Sequence, residues 1–216
     1  MEIALAGERM HLLAGRAAHL PAHDMLLVAD AHIGKAHSFR RLGVPVPQGT
    51  TDDMLQRLDA LLHASGATHL VFLGDLLHSA RARSPATWAA VQRWRDQQPG
   101  LRLTLVRGNH DRHAGDPPPA WDVHCIDEPL MLGPFALCHH PAPQPGAYVL
   151  AGHLHPAVRL GGRAHDRLRL PCFHFGARVG VLPAFGAFTG SHVVLPQPGD
   201  RVFVVHDDRV RALPMA

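Results

Sequence analysis

The sequence predicts an α/β chain built as a two-sheet β-sandwich flanked by helices, a four-layer α+β arrangement. Three observations carry that expectation. In the first half, apolar runs alternate with helical patterns, and each run ends on ligand-type side chains, at Asp30, Asp75 and Asn109. In the second half the runs become short, and turn signals such as Gly133-Pro134, Gly161-Gly162 and Pro198-Gly199 punctuate them. A length of 216 residues, 46% hydrophobic and 18% charged, suits a single domain over 1–216 with a proper core.

Residues 2–6 and 10–14 read as two strands joined by Gly7-Glu8-Arg9, a hairpin. Residues 25–29, Met-Leu-Leu-Val-Ala, are a continuous apolar run of the kind buried on both faces, closing on Asp30. Strand alternation would put Asp30 and His32 on one side and Ala31 on the other. Residues 34–41 read as a short helix carrying Lys35, His37, Arg40 and Arg41, broken by Gly43-Val-Pro-Val-Pro-Gln-Gly49. Thr50 or Thr51 is the expected cap of the next helix, with Asp52 and Asp53 in its first turn. Leu55, Leu58, Leu61 and Leu62 follow at helical spacing, and Ser65-Gly66 ends the helix. Residues 69–73 form a strand closing on Gly74-Asp75, followed by a loop with Arg81 and Arg83. Ser84-Pro85 opens a helix whose Trp88, Val91 and Trp94 form a core stripe. Residues 101–106 are the strand into Arg107-Gly108-Asn109-His110-Asp111, where Gly108 permits a sharp turn.

Beyond the loop at 116–120, no helix is expected. Short strands are expected at 123–126, 130–132, 135–138, 147–151, 157–160, 167–170, 181–188, 192–195, 201–205 and 209–213. No internal repeat is evident.

Composition narrows the function classes. A formal charge of +3 and a pI near 9.1 describe a mildly basic chain, compatible with an anionic substrate. Lys35 is the only lysine; the arginines that replace it elsewhere suit phosphate contacts, or reflect a genome-wide preference for arginine codons. Cys125, Cys138 and Cys172 form no even framework, which favours a reduced, cytoplasmic protein. The expectation is no signal peptide and no membrane, since no apolar run approaches the ~20 residues a span needs.

Five clusters occur in a fixed order: Asp30-Ala31-His32, Gly74-Asp75, Gly108-Asn109-His110-Asp111, His139, and Gly152-His153-Leu154-His155. The set resembles the calcineurin-like metallophosphoesterases. Asp30, His32, Asp75, Asn109, His139, His153 and His155 offer nitrogen and oxygen donors without thiolate. They are too many for one tetrahedral ion and suit two divalent ions sharing a carboxylate. Mixed imidazole and carboxylate donors suit manganese, iron or zinc over magnesium or calcium, without choosing among the three. By resemblance, Asp30, His32 and His155 hold one ion, Asn109, His139 and His153 the other, and Asp75 bridges. His110 would then act on the leaving-group oxygen, with Asp111 fixing its orientation. His139 follows its apolar strand directly and is preferred over His140.

The Gly74-Asp-Leu-Leu-His78 sequence is similar to the nuclease branch of that family, which implies a role for His78 near the scissile phosphate. Longer stretches resemble its ligase-associated DNA damage response endonucleases: Val28–Gly49, Gly108–Gly115, Leu170–Gly176 and Val181–Gly190. The last two are the most specific, because chemistry at the metals does not demand them. His174 stands where the resemblance would put a bulkier aromatic. The resemblance implies a manganese-dependent phosphodiesterase acting on single-stranded or damaged DNA in repair, with a DNA ligase, a helicase and an exonuclease as partners. Arg112 and His113 are candidate substrate contacts beside His110. Lys35, Arg40, Arg41, Arg81, Arg83, Arg107 and Arg112 could track a phosphate backbone. Tyr148 is the only tyrosine and no aromatic platform is evident, so little base readout is expected. The alternative is a small nucleotide diester or lipid-precursor diphosphate as substrate. A non-enzymatic adaptor would have lost ligands, and none is lost.

Overall fold

The computed structural model describes residues 1–79, 84–161 and 167–214; Arg81, Arg83 and Gly162 lie outside them. Strands β1 (Glu2–Leu5), β2 (Glu8–Leu13), β3 (Ala17–Leu20) and β4 (Met25–Val28) pair antiparallel in sequence order. Then β5 (His69–Leu73), β6 (Arg102–Val106) and β7 (Val123–Ile126) add parallel to β4, giving a seven-stranded sheet in order β1 to β7. The hairpin and the three parallel strands are as expected, but β3 has no sequence signal. Its four residues are all buried and so show no alternation.

Helices α1 (Lys35–Arg41), α2 (Thr50–Ser65) and α3 (Pro85–Asp96) connect the parallel strands. Ser84 caps α3 by accepting from Thr87 N at 3.1 Å. The cap of α2 is not a threonine: Gly49 takes that place at φ 83°, where a β-carbon is disfavoured, and both threonines are inside the helix. A six-residue helix α4 (Asn109–Ala114) follows Gly108, and the expected loop at 116–120 ends in a 3₁₀ turn at Pro119–Trp121.

The second sheet has nine strands: β8 (Leu130–Leu132), β9 (Phe135–Leu137), β10 (Tyr148–Ala151), β11 (Pro156–Gly161), β12 (Arg167–Phe175), β13 (Val179–Val181), β14 (His192–Val193), β15 (Arg201–His206) and β16 (Arg209–Ala212). Its path is β14-β11-β12-β13-β10-β9-β8, with β15 and β16 branching from β12. The strand expected at 181–188 stops at Val181. Pro183 has no N–H to give a ladder, and the chain leaves its sheet to bridge Ala184 with Ala29 on the other one.

Alternation along the central strands builds the layers. Leu26, Val28, Leu70, Phe72, Leu103 and Leu105 face α2 and α3. Leu27, Val71, Leu73 and Val106 face Phe135, Leu137, Leu150, Phe173 and Phe175 of the second sheet. The first sheet is thus buried on both faces, between helices and its partner sheet. The described helices lie on the first sheet's side. None is long and apolar enough to cross a membrane.

Candidate metal centre

The site lies where the two sheets end together. The loops after β4 and β5 carry Asp30 and His32, and Asp75; Asn109 opens α4 after β6; the loops after β9 and β10 carry His139, His153 and His155. The loops are stitched together through the backbone. Asp30 N donates to Gly74 O at 3.2 Å, His32 N to Asp75 O at 2.8 Å, and Gly152 N to His139 O at 3.2 Å.

Strand alternation is not what aims these side chains. β4 ends at Val28, and Asp30 and His32 take left-handed backbone, φ 53° and 47°. Asp75, His153 and His155 do the same, at φ 51°, 70° and 49°. An L-residue there costs roughly 1–3 kcal/mol and needs surrounding structure to hold it. The same kinks separate His153 from His155, which turn to different partners instead of sharing a side.

Glycines bring the backbone against the ligands. A β-carbon on Gly74 would sit 2.0 Å from His139 Nδ1, one on Gly108 2.3 Å from Asp75 Oδ1, and one on Gly152 2.6 Å from Asp30 Oδ2. Gly108, expected to permit a sharp turn, is instead needed for close approach, its backbone being extended at φ −94°.

The donors fall into two groups. In one, His32 Nε2 is 3.3 Å from His155 Nε2, and Asp30 Oδ1 is 3.4 Å from the latter. In the other, His139 Nε2 is 2.9 Å from Asn109 Oδ1 and 3.0 Å from His153 Nδ1. Two donors at about 2.1 Å from one ion lie about 3.0 Å apart at right angles and about 3.4 Å apart at the tetrahedral angle, so both groups have the spacing of a cation's ligands. Asp75 stands between them: Oδ1 is 3.5 Å from His139 Nε2, and Oδ2 is 3.8 Å from His32 Nε2. Asp30 Oδ1 and His32 Nδ1 are buried without a hydrogen-bond partner, and a cation beside Asp30 Oδ1 would answer the first. The donor set therefore fits divalent metal.

Surrounding groups prepare these donors. The Leu73 carbonyl holds His139 Nδ1 at 3.1 Å, and the Gly190 carbonyl holds His155 Nδ1 at 3.0 Å, leaving each Nε2 directed into the site. Burial drives His32 down to about 2 and lowers His139 and His153, so these imidazoles stay neutral with free lone pairs. Burial works the same way on His155, but the nearby Asp30 carboxylate and the Gly190 carbonyl together outweigh it and the pKa is raised. Burial also raises Asp75, against the N–H of His110, which donates to its Oδ1 at 2.9 Å.

His139 is fully buried in the cluster. His140 lies within ligand reach of His139 and His153, but its Nδ1 is 2.6 Å from Glu128 Oε1, and Glu128 Oε2 accepts both backbone N–H groups, of His139 and of His140. Glu128 left no signal in the sequence, since nothing local distinguishes it from its neighbour Asp127.

Beside the cluster, His78 and His110 stack with centroids 5.4 Å apart, and His110 lies 5.0 Å from His32. His110 Nδ1 faces the His78 carbonyl at 2.7 Å, so that carbonyl orients it, not Asp111 as expected. The Asp111 carboxylate accepts instead from Leu77 N and Gly108 N, both at 3.0 Å, and ties the β5 loop to the β6 loop. Burial pushes His78 down to about 4.

The flanking cations divide. Arg107 is held by Asp116 through two 2.8 Å bonds, so it is a structural tie rather than a phosphate contact. Arg112 is exposed beside Asp127 at 3.6 Å, and His113 turns back to the Asn109 carbonyl at 2.6 Å. Neither joins the metal cluster. Lys35 does approach it: burial lowers its pKa, while Asp75 and Asp30 pull the other way. His174 is spent on Asp200 at 2.7 Å.

No family model and no curated protein matches the chain. Among solved structures, a nuclease MPE from Pseudomonas putida is 45% identical over 99% of each chain, with a TM-score of 0.87. The chain belongs to the calcineurin-like metallophosphoesterases. It is a hydrolase of phosphoester bonds with a divalent-metal site. A phosphoesterase of E. coli, Yfce, is 16% identical over 88% of this chain and 97% of its own, with a TM-score of 0.42. A predicted phosphoesterase of Streptococcus pneumoniae TIGR4 is 13% identical over 87% and 86%, with a TM-score of 0.33. At those values the likeness bears on nothing further.

Proposed function

We propose that the protein is a binuclear, manganese-dependent DNA endonuclease with little sequence specificity. The observation that carries the two-metal reading is Asp75, whose two oxygens face opposite donor groups. Asp30, His32 and His155 would hold one ion, and Asn109, His139 and His153 the other. A pair of divalent ions bound there supplies Lewis acidity and a water ionised near neutral pH. The donor set lacks thiolate and mixes imidazole with carboxylate, which suits manganese, iron or zinc over magnesium or calcium.

The chain's own groups supply the rest. Asp30 and Asp75 are the only carboxylates in the two donor groups, and the other donors are neutral. With only two negative charges among these residues, a centre holding two divalent ions would stay net positive and would favour an anionic phosphodiester. His110, anchored through Nδ1, turns Nε2 toward the site and in its protonated form donates to the leaving oxygen. His78 and Lys35 contact the non-bridging phosphate oxygens. Asp111 holds His78 and His110 in place indirectly, through the loop N–H groups it accepts.

The P. putida protein is called a nuclease, and the stretches Val28–Gly49 and Val181–Gly190 resemble the DNA damage response branch. The first supports a polynucleotide as substrate; DNA, and a repair role alongside a ligase, a helicase and an exonuclease, follow from the resemblance alone. The test is manganese-dependent cleavage of circular single-stranded DNA, which has no ends for an exonuclease. Wild type should linearise and degrade the circle, while Asp75→Ala and His110→Ala should lose activity by a hundredfold or more in order of magnitude. Equal cleavage by all three would overturn the assignment. Hydrolysis of small nucleotide diesters with the circle left intact would replace DNA as substrate.

A further inference from the structure

The segment Val181–Gly190 is specific in sequence, yet it supplies no metal donor. The structure shows that it is clamped from four sides. Phe185 N donates to Ala29 O at 2.8 Å, and Gly186 N to Asp30 O at 3.0 Å, so it lies along the loop that carries the first donors. A β-carbon on Gly186 would meet Ala31 O at 2.5 Å. Arg16 NH1 donates to Ala184 O at 3.4 Å; Arg57 donates to Phe185 O and lies 4.0 Å over the Phe185 ring. At the far end, the Gly190 carbonyl fixes His155.

Between these clamps sits Phe188. The residue is 44% exposed, and it shares a surface pocket with His32 and Lys35. Its backbone is left-handed, φ 59°, which is uncommon for any residue other than glycine and an outlier for an aromatic one. Folding alone gains little from this choice. The ring is not buried in the core, and glycine would fit the backbone better. Strain of this kind, held by a braced loop at the rim of a site, marks a position kept for its side chain. Tyr148, the only tyrosine, donates its hydroxyl to Gly176 O and offers no such surface.

We propose that Phe188 is the stacking platform for a nucleobase next to the scissile phosphate, with Lys35 beside it to meet the phosphate. This rests on the nuclease reading above. It assigns the braced geometry of the loop to the substrate side: the loop orients His155 and Asp30 with its ends and receives a base at its tip. An aromatic face binds every base, so the contact favours polynucleotide without reading sequence.

The experiment uses full-length protein with manganese and two single-stranded oligonucleotides of equal length. One carries all its bases; the other has a central tract of abasic tetrahydrofuran residues. Wild type should cut the base-bearing strand with a kcat/KM about five- to hundredfold above the abasic tract, mostly in KM. Phe188→Ala and Phe188→Gly should lose that preference by lowering only the base-bearing rate, and Phe188→Trp should keep it. Phe188→Gly should unfold no lower than wild type, because it removes the left-handed strain. Two results would overturn the proposal: a base preference unchanged in Phe188→Gly, or an equal fall of kcat on both strands, which is a loop role alone. Failure of wild type to cut either strand would overturn the nuclease reading, and this proposal with it.

Discussion

Gly108→Ala separates close approach from backbone strain. Gly108 has φ −94° and ψ 179°, extended backbone that alanine adopts freely. Only space opposes the substitution. The new β-carbon would lie 2.3 Å from Asp75 Oδ1, 2.7 Å from Asp75 N and 2.9 Å from His139 Nδ1. Ordinary contact begins near 3.4 Å, so Asp75 must retreat by about 1 Å, and it cannot do so without loosening the 2.9 Å bond from His110 N. Overpacking of this kind costs roughly 1–3 kcal/mol. For a chain of this size that lowers the melting midpoint by about 2–4 °C per kcal/mol. A shift of about 1 Å in a positioned group also costs on the order of a hundredfold in rate. Gly100→Ala is the control, since its β-carbon meets nothing within 4 Å. Differential scanning fluorimetry with and without manganese, with calorimetric titration of the metal, makes the measurement. Gly108→Ala should melt lower, bind manganese more weakly and lose activity, while Gly100→Ala should match wild type. A Gly108→Ala protein that titrates manganese and melts like Gly100→Ala would refute the claim that Asp75 is seated by the missing β-carbon.

Two further outcomes follow from the electrostatics. Chelation should lower the melting midpoint of wild type, since ligand at a hundred times its Kd contributes about 2.7 kcal/mol; Asp75→Asn should abolish that metal response while melting no lower than wild type in chelator, because it removes a buried charge whose pKa burial has raised. A pronounced loss in the apo variant would count against the site's electrostatics as described. His69, lowered below its ordinary 6.5 by burial and then by Arg102, is held neutral beside Thr104 at 2.9 Å. The unfolded chain binds that proton more readily, so this stability is present above pH 6.5 and is lost as pH falls through 6.5 toward the lower folded pKa. Chemical denaturation from pH 7.5 to 5 should give a shallower loss for His69→Gln, and parallel curves would remove His69 as a contributor.

The parallel strands and the order of the site residues were legible because both are written in local pattern: an apolar run, then a polar residue. The seven side chains lie together at one end of the two sheets. What was not legible depends on partners distant in sequence. Asp30 and His32 were assigned to one face by strand alternation, whereas their direction comes from left-handed backbone fixed by the neighbouring loop. Asp111 looked like the partner of His110 because it is adjacent; the partner is a carbonyl 32 positions away. Arg107 read as a phosphate contact because nothing local shows that Asp116 returns to it. The run at 181–188 is apolar enough for a strand, but its backbone groups are claimed by Ala29 and Asp30 on the opposite sheet.

The centre draws Asp30, His32, Asp75 and Asn109 from one sheet and His139, His153 and His155 from the other. The first sheet alone carries four of these seven side chains and neither complete donor group. The donor groups are therefore complete only where both sheets are packed together, which ties the chemistry of the site to the closure of the sandwich.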